Sequence, residues 1–332
     1  MNGCCELRAD IERWAVTKPF RITGFTWEAL DVLVVSLERD GQIGRGEAAG
    51  VYYKNDTPAS MLKQIETLRP RIEAGISGEA VQTLLPPGGA RNALDCALWD
   101  LRAKVSGRAA WELAALDKPK PLVTTCTCGA DTPDAMAAAA CDYASAKAIK
   151  LKLTGDPIDA DRVRAVRAAR TDVWLAVDAN QGFTRTFLEQ LMPTLVEARV
   201  KLIEQPFPIG QETLLDGFKS PIPIAADESV QDAADIGGLV GRFNVMNIKL
   251  DKCGGLTEAL SMARTARKLG LEVMVGNMMG TSLAMAPAYL VGQLCSVVDL
   301  DGPLFLKTDR AVTVDYTDGF ITCPEALWGC GA

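Results

Sequence analysis

Two hydrophobic periodicities divide the chain. Up to about residue 118, alternating apolar positions give way to three- and four-residue spacing. VLVVSLERDGQIGRGEA reads as a strand, a turn at Asp40-Gly41 and a second strand. TPASMLKQIETLRPRIEAG has helical spacing, with Thr57 as its N-cap. Residues 90–107, ARNALDCALWDLRAKVSG, form a second helix that stops at its final glycine.

From about residue 121 the pattern becomes a regular alternation of short apolar runs and amphipathic segments. LVTTCTC, AIKLKL, DVWLAVDAN, KLIEQP, IPIAADE, FNVMNIKL, EVMVGN and SVVDLD read as strands. TPDAMAAAACDYASAK, IDADRVRAVRAAR, RTFLEQLMPTLVEA, VQDAADIGGLV and LTEALSMARTARKLG read as helices between them. Such β-then-α repetition predicts an α/β barrel. An open doubly wound sheet is the runner-up, but no GxGxxG follows a first strand and no Walker A sequence is present. The last 30 or so residues leave the alternation and are expected to pack back on the N-terminal part. The expected division is 1–118, 119–304 and 305–332. Residues 275–298 carry no charge, but their glycines, Asn277, Pro287 and Gln293 fit a strand, a loop and a helix better than a membrane span.

With 332 residues there is room for a barrel and a smaller domain. Nearly half the residues, 48%, are hydrophobic, which supports a packed core rather than disorder. The net charge of −7 argues against nucleic acid or an anionic membrane as partner. Ten scattered cysteines without a CxxC pair fit reduced thiols and a cytoplasmic location, and no signal-peptide pattern opens the chain. Cys126 and Cys128 share a strand face and read as small packed residues. The chain has no histidine. That removes Ser-His-Asp catalysis, His-ligated zinc and imidazole acid–base chemistry.

Charged residues at strand ends are the informative ones, because a parallel barrel builds its active site there. Asp178, Glu204 and Asp227 end successive apolar runs. Neighbouring strands lie about 5 Å apart, so three carboxylates can converge on one ion. Hard oxygen ligands without His or Cys suit Mg2+, with Mn2+ as a substitute. Each alone reads as a helix cap or a solvated charge; three at equivalent places do not. Lys150 and Lys152 share one strand face, and Lys249 ends a strand further round. Lysines inside a barrel are costly without a purpose. A dication and burial are expected to lower a lysine pKa enough for it to act as a base. Lys201 and Lys252 read as ordinary surface lysines.

These motifs, KLK at 150–152, VDAN at 177–180, IEQP at 203–206, ADES at 226–229 and IKLDKCGGL at 248–256, resemble the enolase superfamily. Within it, they are similar to the muconate-lactonizing-enzyme subgroup and to its dipeptide epimerases of the Ala-Glu type. The resemblance implies a modified TIM barrel, (β/α)7β, with an α+β capping domain formed by the N-terminal part and the C-terminal tail. It implies one Mg2+ on Asp178, Glu204 and Asp227, Lys152 and Lys249 as the acid–base pair, and Lys150 beside Lys152. The metal would stabilise an enediolate formed from a substrate carboxylate.

The substrate follows from the same resemblance. Asp299 and Asp301 resemble the DxD motif with which dipeptide epimerases hold an α-ammonium group, which two carboxylates on one face suit physically. The capping loop KPFRITGFTWEA would cover the substrate side chain. Epimerases acting on Ala-Glu dipeptides carry an arginine there; here Phe25 stands near that place, with Arg21 four residues earlier. Thr23, Phe25 and Trp27 would make a more apolar pocket, completed by Asn277 and Met278 of GNMMGTS. Gly280 replaces a glutamate common in related epimerases. The expected activity is dipeptide epimerisation at the C-terminal residue. The alternative is an N-acylamino-acid racemase. A non-catalytic barrel would have lost at least one ligand or lysine, and none is lost. A homo-oligomer is left open, because composition reveals no interface.

Overall fold

The fold is described from a computed structural model covering residues 4–22 and 25–331. The N-terminal part is a three-stranded antiparallel sheet of β1 (Glu6–Ile22), β2 (Phe25–Arg39) and β3 (Gln42–Ala48), in that order. Asp40 and Gly41 both take positive φ, which closes the two-residue turn between β2 and β3 with Arg39 opposite Gln42. Helices α1 (Pro58–Glu73), α2 (Gly78–Leu84) and α3 (Gly89–Ser106) cover one face. Thr57 caps α1 by accepting the Ser60 N–H, and Gly107 ends α3 at φ 64°. Leu33, Leu37, Met61, Ile65, Leu94 and Leu101 fill the core between sheet and helices.

A short helix α4 (Ala110–Leu113) and strand β4 (Leu122–Val123) lead into the barrel. Its parts are β5 (Thr125–Cys128), α5 (Pro133–Asp142), β6 (Ala148–Lys152), α6 (Asp159–Ala169), β7 (Trp174–Asp178), α7 (Arg185–Glu197), β8 (Leu202–Glu204) and β9 (Ile224–Ala226). They continue with α8 (Ile236–Leu239), β10 (Val245–Ile248), α9 (Leu250–Cys253), α10 (Leu256–Lys268), β11 (Glu272–Val275), α11 (Ser282–Gly292) and β12 (Val297–Val298). The eight strands from β5 to β12 pair in sequence order, each parallel to the next. Side chains bridge the seam between β12 and β5. Thr125 donates its hydroxyl to Asp299, Thr127 N–H donates to Asp301 at 2.7 Å, and Leu300 N–H donates to Thr124 Oγ1 at 3.0 Å.

Three details differ from the periodicity. LVTTCTC is two strands, broken at Thr124, whose hydroxyl serves the seam. VQDAADIGGLV yields a 3-10 turn and only the four-residue α8, since Gly237 and Gly238 weaken a longer helix. The tail touches the N-terminal part at its start, where Lys307 N–H donates to Ala15 O at 2.8 Å, and then forms a hairpin, β13 (Asp315–Thr317) and β14 (Phe320–Thr322), which adds to β4. It then returns to the N-terminal part, where Arg45 donates to Leu327 O, Trp328 Nε1 donates to Arg45 O, and Gly329 N–H donates to Asp100 at 2.7 Å. Cys126 and Cys128 are buried, free thiols in the apolar core. Among the described residues, no helix is long and apolar enough to cross a membrane.

The β3–α3 contact depends on missing side chains. A Cβ on Gly46 would stand 2.1 Å from Ala93 O, and one on Gly44 would stand 2.3 Å from Ala97 O. Gly46→Ala is therefore expected to destabilise by about 1–3 kcal/mol, the usual cost of overpacking a closed contact. Urea unfolding measures this, and an unchanged midpoint would show that α3 can move away freely.

Candidate active site

Strand register sets the heights of the first side chains. Lys152 of β6 pairs with Asp178 of β7, and Asp178 pairs with Glu204 of β8. Asp227 follows β9, Lys249 follows β10, and Asp299 follows β12. All eight strands are parallel, so these residues gather at one mouth of the barrel. Inward lysines alternate with Ile149 and Leu151, which belong to the apolar core.

The turns leaving the strands are held in uncommon backbone states. Asn180, Gln181 and Gln205 have φ of 41°, 69° and 35°. Each is fixed by hydrogen bonds. Asn180 N–H donates to Asp178 Oδ1 at 2.8 Å. Gln205 Oε1 accepts the N–H groups of Asp227 and Ser229 at 2.9 and 3.1 Å, while its amide donates to Phe207 O and Ser229 Oγ. Gln205 thus builds the ADES turn that presents Asp227.

The side chains form one buried ion network. Lys152 Nζ donates to Asp178 at 2.6 Å, and Lys249 Nζ donates to Asp227 at 2.6 Å. Lys150 pairs with Asp299 and reaches Glu204 at 3.5 Å and Asp178 at 3.7 Å. Asn247, inside β10, donates to Glu204 at 2.8 Å. Gly276 leaves room for it, because a Cβ there would lie 2.8 Å from Asn247 Oδ1 and 3.1 Å from Lys249 Cε. Lys252 is not a surface lysine. It is 2% exposed and donates to Asp227 Oδ1 and to Asp227 O, both at 2.5 Å. The short turn α9 folds it back under the third carboxylate.

Burial and charge together explain the titration of the site. Six buried carboxylates, Asp178, Glu204, Asp227, Glu228, Asp299 and Asp301, meet four buried lysines at 150, 152, 249 and 252. With all ten groups ionised, two negative charges are in excess. Burial, then repulsion from Asp178, pushes Glu204 up to about 8. Burial, then repulsion from Asp227 and Asp178, pushes Glu228 up to about 7. Asp227 is instead held well below the usual carboxylate range: burial works to raise it, but Lys249 and Lys252 outweigh that. Lys150 and Lys249 run opposite to the sequence expectation. Burial works to lower Lys150 and Lys249, but the surrounding carboxylates raise both above the usual lysine value.

A divalent cation fits this donor set in charge and in chemistry. It matches the excess of two, and the donors are hard oxygens. Two further oxygens, Asn180 Oδ1 and Glu228 Oε2, are buried without a hydrogen-bond partner. Among the described residues, no three acidic or thiol groups yet close on one ion-sized point. Lys150 lies between Asp178 and Glu204 and bridges them itself.

A small cleft, with a cavity volume of about 70 Å³, opens above the network. Lys152 and Lys249 line it together with Asn180, Asp227, Glu228 and Asn277. Its apolar wall comes from Trp27, Tyr52, Tyr53, Met278 and Met279. The rings of Trp27, Tyr52 and Tyr53 meet edge to face at 5.1 Å. The tyrosine turn is tied to the barrel by Asp251, which accepts the Gly50 N–H at 2.8 Å. Tyr52, Tyr53, Asn247 and Gln205 were not among the sequence candidates. Asp299 and Asp301 are 3% and 4% exposed, engaged with Lys150, Thr125 and Thr127 at the barrel seam. Asn277 donates to Asp299 O at 2.6 Å. Thr23, and the side chains of Arg21 and Phe25, lie outside the described residues.

Known proteins share this architecture. Residues 5–114 match the family model for the mandelate racemase/muconate lactonizing enzyme N-terminal domain, and residues 134–332 match the enolase C-terminal domain-like model. The L-Ala-D/L-Glu epimerase of Escherichia coli (strain K12) is 38% identical over 93% of this chain and 96% of its own. The N-acetyl-D-glutamate racemase of a Pseudoalteromonas species is 44% identical over 76% of this chain and 79% of its own. An enolase family member from Agrobacterium tumefaciens with homology to dipeptide epimerases, solved with sodium and L-Ala-L-Glu, is 40% identical with a TM-score of 0.95. That comparison covers 98% of this chain and 100% of the other. A dipeptide epimerase from Methylococcus capsulatus, solved with Mg and L-Arg-D-Lys, is 28% identical with a TM-score of 0.91 and 98% of each chain covered.

Asp251 makes the tyrosine turn sensitive to pH. Burial pushes its carboxyl up to about 7, above the unfolded value of 3.8. The folded protein then binds more protons than the unfolded chain between about pH 4 and 7, so stability falls as pH rises through that window. Asp251→Asn is expected to make this fall shallower, read from urea midpoints at pH 5 and pH 8 in EDTA. An identical fall in the variant would show that Asp251 is already ionised on its backbone donors.

Proposed function

Because the chain belongs to the mandelate racemase/muconate lactonizing enzyme family of the enolase superfamily, we propose that it is a dipeptide epimerase that inverts the α-carbon of the C-terminal residue. As an enzyme it is an isomerase of amino-acid derivatives. One observation carries the reading. Lys152 and Lys249 line the same cleft from opposite sides of the strand array, each paired with a different carboxylate. Two amines at one α-carbon are what a 1,1-proton transfer requires.

The roles follow from position. Lys152, as the free amine, takes the α-proton from one face of the substrate. The electron pair passes into the substrate carboxylate to give an enediolate. Lys249, as the ammonium, returns a proton to the other face. The reverse direction exchanges these roles. Lys150 stands next to Lys152 on β6 and keeps positive charge beside Glu204 and Asp178. Asp178, Glu204 and Asp227 would hold Mg2+ or Mn2+, which when bound supplies the charge that stabilises the enediolate and offsets the carboxylates' hold on the lysines. Trp27, Tyr52, Met278 and Met279 favour small or apolar side chains at the cleft. Asp299 and Asp301 would receive the α-ammonium group. Ten free thiols fit a cytoplasmic setting.

A second reading has its own support. Asp299 and Asp301 are already engaged at the barrel seam, which leaves less for an ammonium group. An N-acylamino-acid racemase needs no such contact, and the 44% identical relative is an N-acetyl-D-glutamate racemase.

The deciding test uses the purified protein with Mg2+ in D2O and a small library of L,L-dipeptides. Mass spectrometry is expected to show one deuterium gained at the C-terminal α-carbon, lost in EDTA and restored by Mg2+ or Mn2+. Exchange confined to N-acetyl or N-succinyl amino acids would replace the dipeptide reading with the racemase.

A further inference from the structure

The wall of the cleft at Asn277, Met278 and Met279 is neither strand nor helix. Its shape is held from outside the barrel. Glu47 of β3 is 1% exposed and accepts the Thr281 N–H at 2.7 Å and the Thr281 hydroxyl. Arg310, in the tail beyond β12, donates to the same Glu47 carboxylate at 2.6 Å and to Thr281 Oγ1 at 2.8 Å. Its other nitrogen pairs with Glu12 of β1 at 2.7 Å, and its guanidinium lies 4.8 Å from the ring centre of Trp14. Asp309 accepts the Ser282 N–H at 3.0 Å and the Ser282 hydroxyl.

Four segments distant in sequence therefore meet at one ion pair, with the Glu47 carboxylate buried and the Arg310 side chain 14% exposed. Three residues beyond Glu47, the Gly50 N–H goes to Asp251, two residues past Lys249. One short stretch of the N-terminal part is thus tied to both barrel loops that flank the cleft. Gly280 is closed in by the same network: a Cβ there would stand 2.9 Å from Ala284 Cβ and 3.4 Å from Glu47 Oε1. A carboxylate side chain at 280 would press against the buried charge of Glu47.

We propose that Arg310 and Glu47 are positioning residues for substrate selection, fixing the wall at 277–281 so that the β3 strand and the tail decide which side chains the cleft accepts. The proposal rests on the epimerase reading for its substrate and on this geometry for its mechanism. Removing one partner of a buried pair leaves an uncompensated charge that must seek water, and here the route to water moves Thr281. Lysine keeps the charge but lacks the fork that reaches Glu47, Thr281 and Glu12 together.

The test compares the full-length wild type with Arg310→Met, Arg310→Lys and Glu47→Gln. Amide hydrogen exchange over 276–282 is expected to speed up in Arg310→Met, less so in Arg310→Lys, with the α10 amides unchanged. With Mg2+ and dipeptides, KM is expected to rise roughly tenfold while kcat stays within about twofold, a size usual for residues that act through a packed network. The order of preference among C-terminal side chains shifts as well. Glu47→Gln keeps the shape without the charge and gives the same pattern if Arg310→Met does not fold. Unchanged amide exchange at 276–282, or an unchanged KM and preference order in the folded variants, overturns the proposal. A wild type that exchanges no dipeptide α-proton fails the epimerase reading instead, and amide exchange still decides whether the pair holds the wall.

Discussion

The structure depends on buried charge at the mouth of the barrel. Burying one carboxylate costs free energy unless a partner is supplied, and this mouth buries six beside four lysines. Every lysine that approaches does so to meet that demand: Lys152 for Asp178, Lys249 and Lys252 for Asp227, and Lys150 for Asp299, Glu204 and Asp178. The imbalance of two charges is what a hard divalent cation would relieve. Burial, and then that imbalance, drives Glu204 and Glu228 toward the protonated form, while the carboxylates lift Lys150 and Lys249 against the effect of burial. The pairing that stabilises the protein thus also restrains the proposed bases, so the cation and the acid–base chemistry are coupled.

The rest of the fold serves that mouth. Parallel strands bring the residues to one height, and Gln205 and the strained turns at Asn180 and Gln181 aim them. Asp299 and Asp301 both close the seam and face the network. The N-terminal part contributes no buried lysine to the mouth, yet it supplies Trp27, Tyr52 and Tyr53 to the cleft. Its attachment through buried Asp251 and Glu47 and half-buried Arg310 is polar, so its position relative to the lysines is specified rather than merely packed.

Much of this was legible along the chain. Alternation placed Lys150 and Lys152 on one face, and apolar runs ending in Asp178, Glu204 and Asp227 marked the strand ends. Asn247 carried a usable signal, since it shares a strand face with Lys249 two positions on. Glu228 stands beside Asp227 among the charged residues at strand ends, but β9 ends at Ala226, so alternation does not tell where its side chain points. Lys252 misled because a lysine three residues past a strand usually faces solvent, whereas the turn of α9 returns it to Asp227. Tyr52 and Tyr53 sit in a 3-10 turn with no periodicity to read. The direction of the lysine shifts needed a count of all the carboxylates nearby, which only the assembled barrel provides.

The central claim is that two lysines serve opposite faces of one α-carbon. The most direct measurement is α-hydrogen exchange in D2O with Mg2+, run separately on the L,L and L,D forms of one accepted dipeptide, with Lys152→Ala and Lys249→Ala. The account predicts that each variant still exchanges one epimer and loses the other, and that the surviving epimer differs between the two. Survival of the same epimer in both variants, or of both epimers in either, would contradict it.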